Sequence, residues 1–298
     1  MTFGSAQNTR EVPAYLRSVR GGGDPDPAVV AEFQRRYETI GWSPLVRITQ
    51  QQGSALQRLL DAQGRGRYVV AVGMLHSDPR IEQAVMTLSG RGVEQVIGII
   101  LSPQYSQIIM GGYDRALAGA CSRHLPGTPF RVAGPWHTVP GFLDELAGSV
   151  IEALARFPEP SRVPLILTAH SLPKAVVDRD PGYIDQLMET VHLVVERAGL
   201  PRERWQFAYQ SAGHTPEEWL KPDLKDLLPG LRDSSCDDVL VVPVQFLADH
   251  LEILYDIDVA ARREAEEAGL RFHRIDLPNV SPVFIRALAE VVRREEHS

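Results

Sequence analysis

Short apolar runs alternate with longer amphipathic segments along most of this chain. Apolar runs of about four to eight residues are typical of buried strands. They occupy residues 68–73, 96–101, 130–133, 163–168, 205–210, 239–246 and 271–275. The segments between them carry apolar residues at helical spacing, as in Leu143, Leu146, Val150 and Leu154 of 141–157. This alternation predicts parallel sheets with helices on both faces and right-handed crossovers.

The N-terminal 60 residues depart from the alternation. Helices are predicted for 11–19, 26–41 and 43–60, and Asp26-Pro27 has the N-cap and first-position residues that begin many helices. Residues 1–5, MTFGS, resemble the end of a strand and its turn, although no strand precedes them. Farther along, 106–124 predicts a helix that is interrupted at Gly111 and Gly112.

The two halves of the chain resemble each other. ILSPQYS (100–106) and VVPVQFLAD (241–249) both place proline, glutamine and an aromatic residue at a strand end, and TFGS (2–5) corresponds to TAHS (168–171). We therefore predict an α/β fold of two similar Rossmann-like lobes with parallel four-stranded sheets and a cleft between them. Residues 1–145 form the first lobe, which lacks its opening strand. Residues 146–298 form the second, and its last helix, 282–294, packs back on the first lobe.

Composition narrows the classes of protein. The 298 residues are 44% hydrophobic and carry a formal charge of −7 with a pI near 5.7, which argues against binding nucleic acid through its phosphates. Two cysteines are too few for a disulfide scaffold, a four-cysteine zinc site or an iron–sulfur cluster held by cysteines. The chain has neither an apolar stretch of the ~20 residues that span a membrane nor a signal-peptide core. We expect a cytoplasmic protein without integral membrane contact.

Histidine and carboxylate side chains follow two of the predicted strands. His170 follows 163–168, and His250, Glu252 and Asp256 follow 239–246. Open α/β sheets bind ligands at the carboxyl ends of their strands. Neutral imidazole accepts protons or binds metal near pH 7, and the combination with carboxylate suits ferrous iron. Glu252 lies between two apolar residues, so we expect burial to raise its pKa and enable proton exchange.

Each of these residues also has a plainer interpretation. His170 could hydrogen-bond the backbone at a strand end, and Glu252 and Asp256 could stabilise the dipole of a helix at its first turns. The sequence contains no GxGxxG, Walker loop, HExxH or GxSxG motif. From the residues alone, both interpretations stay open.

Several segments closely resemble the ferrochelatases. They are RYETIGWSPL (36–45), SPQYSQ (102–107), LILTAHSLP (165–173), YQSAGHTPEEWLKPD (209–223), VPVQFLADHLEILYDID (242–258) and LPNVSPVFIRAL (277–288). The resemblance covers essentially the whole chain in order, and AHSLP and DHLEILYD are its most specific parts. Within the family, the chain is most similar to coproporphyrin III ferrochelatases, which insert Fe²⁺ into coproporphyrin III to give coproheme in haem biosynthesis.

The resemblance implies a porphyrin cleft between the lobes and assigns roles to its residues. His170 and Glu252 would be catalytic and face the metal, with Asp256 in an outer metal site that could hold Mg²⁺. Porphyrin would contact Phe3, Ser5, Arg20, Arg36, Tyr37, Ser43 and Tyr113. Fe²⁺ is a substrate, no cofactor is tightly bound and no iron–sulfur cluster is expected. The implied partners are coproporphyrin III, ferrous iron and downstream enzymes of the haem pathway, and the implied oligomeric state is a monomer.

The chain departs from the family pattern at a few positions. Phe3 stands where coproporphyrin III ferrochelatases usually carry tyrosine, and Ala260 replaces an acid that would continue the stripe of Glu252 and Asp256. The first strand is absent. Two alternatives therefore stay open: a chelatase for another ring, such as protoporphyrin IX or a sirohydrochlorin-like ring, and a non-catalytic tetrapyrrole or haem binder on a chelatase scaffold.

Overall fold

A computed structural model describes residues 1–64, 67–213, 216–231 and 237–296. Its helices are α1 Val12–Val19, α2 Pro27–Thr39, α3 Leu45–Gln63, α4 Ile81–Ser89, α5 Gln107–His124, α6 Pro140–Leu154, α7 Lys174–Val177, α8 Gly182–Arg197, α9 Leu224–Leu231, α10 Arg262–Glu267 and α11 Pro282–Glu296. Its strands are β1 Val96–Gly98, β2 Phe130–Val132, β3 Leu165–His170, β4 Trp205–Gln210, β5 Asp238–Pro243 and β6 Arg271–Arg274. A π-helix covers Glu252–Ala261, and short 3₁₀ turns cover Pro160–Arg162 and Arg202–Arg204.

The second lobe is built on a four-stranded parallel sheet with the order β4-β3-β5-β6. β3 is central, with Leu165 opposite Trp205 on one side and Leu240 on the other. Its first five residues and those of β5 from Val239 are buried, as expected for strands covered by helices on both faces. The prediction of an α/β fold with parallel sheets is confirmed.

The first lobe differs from the prediction. Its sheet contains β1 and β2 alone among the described residues, where four strands were expected. The predicted strand at 68–73 is wrong, and the one at 96–101 is reduced to its first three residues. Both results have the same cause, since a strand requires a neighbouring backbone along its length. Thr2 does pair with Met74 in an isolated parallel bridge, in agreement with a strand end at 1–5.

The predicted break at Gly111 and Gly112 is also wrong, because α5 continues through both residues. Glycine inside a helix costs about 1 kcal/mol relative to alanine, which tertiary packing can offset. A Cβ at Gly112 would lie 3.3 Å from Cδ2 of Leu75, so the glycine lets that side chain pack against the helix. Ser106 accepts a hydrogen bond from the Ile109 amide at 3.3 Å and begins the helix.

A large apolar core joins the two halves. Trp136, Phe142 and Phe284 are fully buried and pack together. α11 contacts both α3 and α6, and α6 also contacts α8. The division of the chain at residue 145 stays a prediction. None of the described helices is long and apolar enough to cross a membrane.

Candidate active site

His170 lies at the carboxyl end of β3, held by its backbone and by one ring nitrogen. Its amide donates to Oε1 of Gln245 at 2.9 Å, from the segment that follows β5. Gln245 in turn contacts the hydroxyl of Tyr183. Nδ1 of His170 faces the carbonyl oxygen of Ser171, which can only accept a hydrogen bond, so Nδ1 carries the proton. Nε2 is therefore the nitrogen that faces the cleft.

Glu252, the first residue of the π-helix, lies between two imidazoles. Its Oε2 is 3.6 Å from Nε2 of His170 and 3.6 Å from Nε2 of His250. Nδ1 of His250 donates to the carbonyl of Ala248 at 2.9 Å, so His250 also presents Nε2 to the carboxylate. The ring of Phe246 lies between the two histidines, with centroids 6.5 Å from His170 and 4.6 Å from His250. The histidines that follow β3 and β5 are thus both placed against the carboxylate of Glu252.

The charges of this cluster correct the expected pKa of Glu252. Burial does favour the neutral form, but the charges of His170 and His250 and the hydrogen bond from His250 outweigh it and lower the pKa to about 2. Burial likewise disfavours protonated His250, yet its contacts with Glu252 and Ala248 raise its pKa above the usual 6.5. The expectation of a raised pKa at Glu252 is wrong, because the sequence could not place His170 and His250 against the carboxylate.

Asp256 shares the cleft-facing side of the π-helix with Glu252. Burial raises the pKa of Asp256 and the nearby Glu252 charge adds to this effect, although a hydrogen bond with Ser211 and the charge of Arg36 oppose it. The Arg36 guanidinium lies 3.5 Å from Oδ1 of Asp256 and 2.8 Å from Glu32, and it stacks over the ring of Tyr255 at 5.0 Å. These contacts join α2 of the first lobe to the π-helix of the second. Asp256 is thus the more readily protonated carboxylate of the pair.

The first lobe contributes a wall of hydroxyl groups opposite Glu252. The hydroxyls of Ser5 and Tyr37 are 3.0 Å apart, and both residues are buried. Tyr15 donates to the carbonyl of Gly4 at 3.4 Å, and the pKa of its hydroxyl is raised by burial and by the charges of neighbours that include Tyr37 and Glu252. Leu251 packs in one apolar cluster with Tyr37. The two halves therefore approach each other where the resemblance placed the porphyrin.

The other predicted porphyrin ligands are more dispersed. Phe3 is 44% exposed, and its ring lies 4.4 Å from that of His76. Arg20 is exposed at the end of α1, and its guanidinium has no hydrogen bond or ion pair within the described residues. Ser43 is buried and accepts from the Leu45 amide at 3.4 Å. Tyr113 is buried in an apolar cluster of the first lobe. Contact of these residues with a porphyrin stays a prediction.

A metal site closed by three ligands is not formed in the part of the chain that the structure describes. No three histidine, cysteine, aspartate or glutamate side chains of those residues are arranged to hold an ion. Asp256 already contacts Arg36, which competes for its oxygens. The outer Mg²⁺ site stays a prediction.

Comparison with known proteins decides the family. The ferrochelatase family model matches residues 1–296. A ferrochelatase of Deinococcus radiodurans is 38% identical over 298 residues, which cover 99% of this chain and 94% of that protein. A coproporphyrin III ferrochelatase of Geobacillus is 35% identical over 98% of this chain and 95% of its own length. The chain belongs to the ferrochelatase family. It is a metal chelatase of haem biosynthesis, with porphyrin and iron as its substrates.

Solved structures of much lower sequence identity have the same fold as this ferrochelatase. SirB of Bacillus subtilis with Fe³⁺ superposes with a TM-score of 0.60 at 14% identity and covers 83% of this chain and 89% of its own. CbiX, described as the terminal enzyme of sirohaem biosynthesis in denitrifying bacteria, gives 0.57 at 15% identity and covers 84% and 92%. At this identity the likeness shows the fold alone.

Sequence reasoning placed His170, Glu252, Asp256, Arg36, Ser5 and Tyr37 at a common cleft and missed two neighbours of it. The sequence places His250 at the strand end without a role, and the structure brings it against Glu252. Tyr15 lies in α1 and joins the hydroxyl wall, which no motif in the sequence indicates. The signal for His250 was its place two residues before Glu252, on the same strand end.

Proposed function

We propose that this ferrochelatase inserts Fe²⁺ into coproporphyrin III to give coproheme. The observation that carries the mechanism is the carboxylate of Glu252 held 3.6 Å from Nε2 of both His170 and His250. The substrate is supported by relatives of 33–35% identity that are named coproporphyrin III ferrochelatases, with matches over nearly their whole length.

Metal insertion releases two protons from the inner nitrogens of the ring, and we propose His170 as their first acceptor. His170 presents Nε2 to the cleft because Nδ1 is occupied by Ser171. Contacts with Glu252 and Ala248 raise the pKa of His250 and favour its protonated form, so we assign the acceptor role to His170 instead. Glu252, with its pKa near 2, is a weak base but stabilises a positive charge on His170. Neutral His170 therefore takes the proton at Nε2, and Glu252 stabilises the imidazolium that forms through the same attraction that lowers the pKa of Glu252.

Protons must then leave the cleft before a second transfer. Asp256 has a raised pKa and lies at the end of the site that contacts Arg36. It accepts a proton more readily than Glu252, and four residues along the π-helix separate the two carboxylates. We assign Asp256 to proton release. Serine and tyrosine hydroxyls at the opposite wall, from Ser5, Tyr15 and Tyr37, are suited to hydrogen bonds with the carboxylates of the ring.

The test is an anaerobic insertion assay with Fe²⁺, followed by the shift of the Soret band. Coproporphyrin III, protoporphyrin IX and a sirohydrochlorin are compared at equal concentration, and we expect the highest rate with coproporphyrin III. A faster reaction with protoporphyrin IX would keep the chelatase activity and reject the proposed substrate. Porphyrin binding without turnover on all three rings would reject catalysis and favour a non-catalytic binder.

Substitutions test the assigned residues. Glu252→Gln is expected to lower kcat by roughly 10²–10⁴-fold while porphyrin still binds, because the amide cannot stabilise imidazolium. Glu152→Gln, at an exposed position of α6, is the matched control and should leave the rate unchanged. Full activity in the Glu252 variant would contradict the mechanism.

A further inference from the structure

Asn279 lies in the segment between β6 and α11 and binds the part of the chain just before the π-helix. Its Nδ2 donates to Oδ2 of Asp249 at 2.9 Å, and its Oδ1 accepts from the Asp249 amide at 2.9 Å. Its own amide donates to the Leu247 carbonyl at 2.9 Å. Its carbonyl accepts from Nε2 of Gln52, which is buried in α3, at 2.7 Å. One residue therefore holds the segment 247–249 and ties it to a helix of the first lobe.

The backbone and the side chain of Asn279 both suit these contacts. Its φ of 43° lies in the left-handed region, which asparagine adopts more readily than most other residues. The two bonds to Asp249 require a donor and an acceptor at the end of one short side chain, and the amide of asparagine has both. The position therefore requires an asparagine for two independent reasons.

Asp249 is held from a second side by Arg274 of β6. Nη2 of Arg274 lies 3.2 Å from Oδ1 of Asp249. The same guanidinium binds both carboxylate oxygens of Asp258 in the π-helix, at 2.8 and 2.9 Å. Asn279 thus binds one carboxylate oxygen of Asp249 and Arg274 binds the other. These contacts fix Asp249 relative to both the π-helix and the segment that carries Asn279.

The segment held in this way directs the imidazole of His250. Nδ1 of His250 donates to the Ala248 carbonyl at 2.9 Å, and Nε2 of His250 is 3.6 Å from Oε2 of Glu252. Ala248 and His250 are the two chain neighbours of Asp249, so a displacement of Asp249 moves both partners of the Nδ1 hydrogen bond. Apolar packing holds the π-helix on the sheet, but it does not set the direction of the Ala248 carbonyl. The position of His250 therefore depends on the contacts of Asp249.

We propose that Asn279 is a positioning residue for metal insertion, because by holding Asp249 it keeps His250 against Glu252. The inference rests on the roles proposed above for His170 and Glu252. Among the residues that the structure describes, Asn279 makes no hydrogen bond with Glu252 and acts through Asp249 and His250. A displacement of about 1 Å at a reacting group can cost roughly 100-fold in rate. Loss of the Asn279 side chain therefore slows the chemical step and leaves porphyrin binding intact.

Substitutions of Asn279 test this role in the anaerobic insertion assay. Asn279→Gly removes the two side-chain bonds to Asp249, while glycine accepts the positive φ and keeps the backbone bonds to Leu247 and Gln52. We expect kcat to fall by roughly tenfold, with an unchanged porphyrin affinity from titration of the Soret band. Asn279→Asp places two carboxylates against each other and should lower kcat at least as far.

An exchange of the two side chains provides the rescue. Asn279→Asp combined with Asp249→Asn restores both bonds with donor and acceptor reversed, and it leaves an acceptor for Arg274. We expect this double variant to recover kcat to within about threefold of wild type. Ser281→Ala is the matched control, because it removes a 2.6 Å hydrogen bond from the same segment to Glu145 of α6 and should leave kcat unchanged.

A double-mutant cycle with His250 separates positioning from a general loss of stability. In a His250→Gln background, Asn279→Gly should lower kcat by less than about twofold further, because the side chain through which Asn279 acts is gone. An equal fall of kcat in both backgrounds would overturn the proposal, as would full kcat in Asn279→Gly alone. Failure of the exchanged pair to recover kcat, with folding checked by urea unfolding, would also overturn it. Failure of the proposed mechanism is distinct, since Glu252→Gln would then keep full activity.

Discussion

The charge cluster at Glu252 predicts a stability that depends on pH within a defined window. The pKa of Glu252 falls from 4.5 to about 2, so its stabilisation is present above pH 4.5 and is lost as the pH falls toward 2. The pKa of His250 rises above 6.5, so its stabilisation is present below pH 6.5 and is lost as the pH rises through the folded-state value. The stabilisation from Glu252 and that from His250 are therefore both present between pH 4.5 and 6.5.

The free energy of this stabilisation can be worked out from the same pKa of Glu252. A fall in pKa from 4.5 to about 2 corresponds to about 3 kcal/mol of preference for the ionised form. The Glu252 side chain is 39% exposed, so screening by water reduces this to about 1–2 kcal/mol. His170 and His250 share that amount, which leaves roughly 1 kcal/mol for the pair of His250 and Glu252.

A double-mutant cycle measures this coupling energy. Urea unfolding of wild type, His250→Gln, Glu252→Gln and the double variant is followed at pH 5.5 and pH 9. We expect a coupling of about 1 kcal/mol at pH 5.5 that decreases at pH 9. The pair of His124 and Glu82, 3.0 Å apart with the glutamate side chain 46% exposed, is the comparison and should show weaker coupling at both pH values. A coupling that is absent at pH 5.5, or larger at pH 9, would refute the assignment of charges.

Three further substitutions follow from the packing of the site and its supports. Gln245→Ala removes the hydrogen bond to the His170 amide, and we expect kcat to fall by roughly tenfold with unchanged porphyrin affinity, measured by titration of the Soret band. Arg274→Met leaves Asp249 and Asp258, the second of which lies in the π-helix, without their cation, and urea unfolding should show a loss of about 2–4 kcal/mol. Gly73→Ala places a Cβ 2.7 Å from a backbone atom of α4 and should cost about 1–3 kcal/mol in the same assay. Gly90→Ala, with open space around the position, should change stability by less than about 0.5 kcal/mol, and equal costs for the two would contradict the packing argument.

Local pattern was enough to predict most of the second lobe. Residues 163–168 and 239–246 are continuous apolar runs, and both became central strands with buried side chains on each face. Such runs predict strands reliably because the side chains have no solvent-facing alternative. The cleft-facing positions of His170 and Glu252 followed from the rule that ligands bind at the carboxyl ends of parallel strands.

Strand pairing and side-chain packing decided the elements that the sequence pattern could not predict. Residues 68–73 have the composition of a strand, yet they form none, because among the described residues a neighbouring backbone reaches them at their end alone, where the Thr2 amide donates to the Gly73 carbonyl. The two glycines of α5 suggested a break, but packing of Leu75 against the helix offsets their low helix propensity. The π-helix at Glu252–Ala261 was predicted only as a helix, since its periodicity over ten residues differs little from that of an α-helix.

The sequence by itself determined the family, the α/β class and the strand ends that carry His170 and Glu252, because these depend on composition, periodicity and short motifs. Only the tertiary structure decided the charge state of the site. Glu252 seemed from its apolar neighbours to be a carboxylate of raised pKa, and it is instead ionised between His170 and His250. The reason is that a pKa depends on which charges lie within a few ångströms, and one of those charges, on His170, comes from a residue about 80 positions away in the chain.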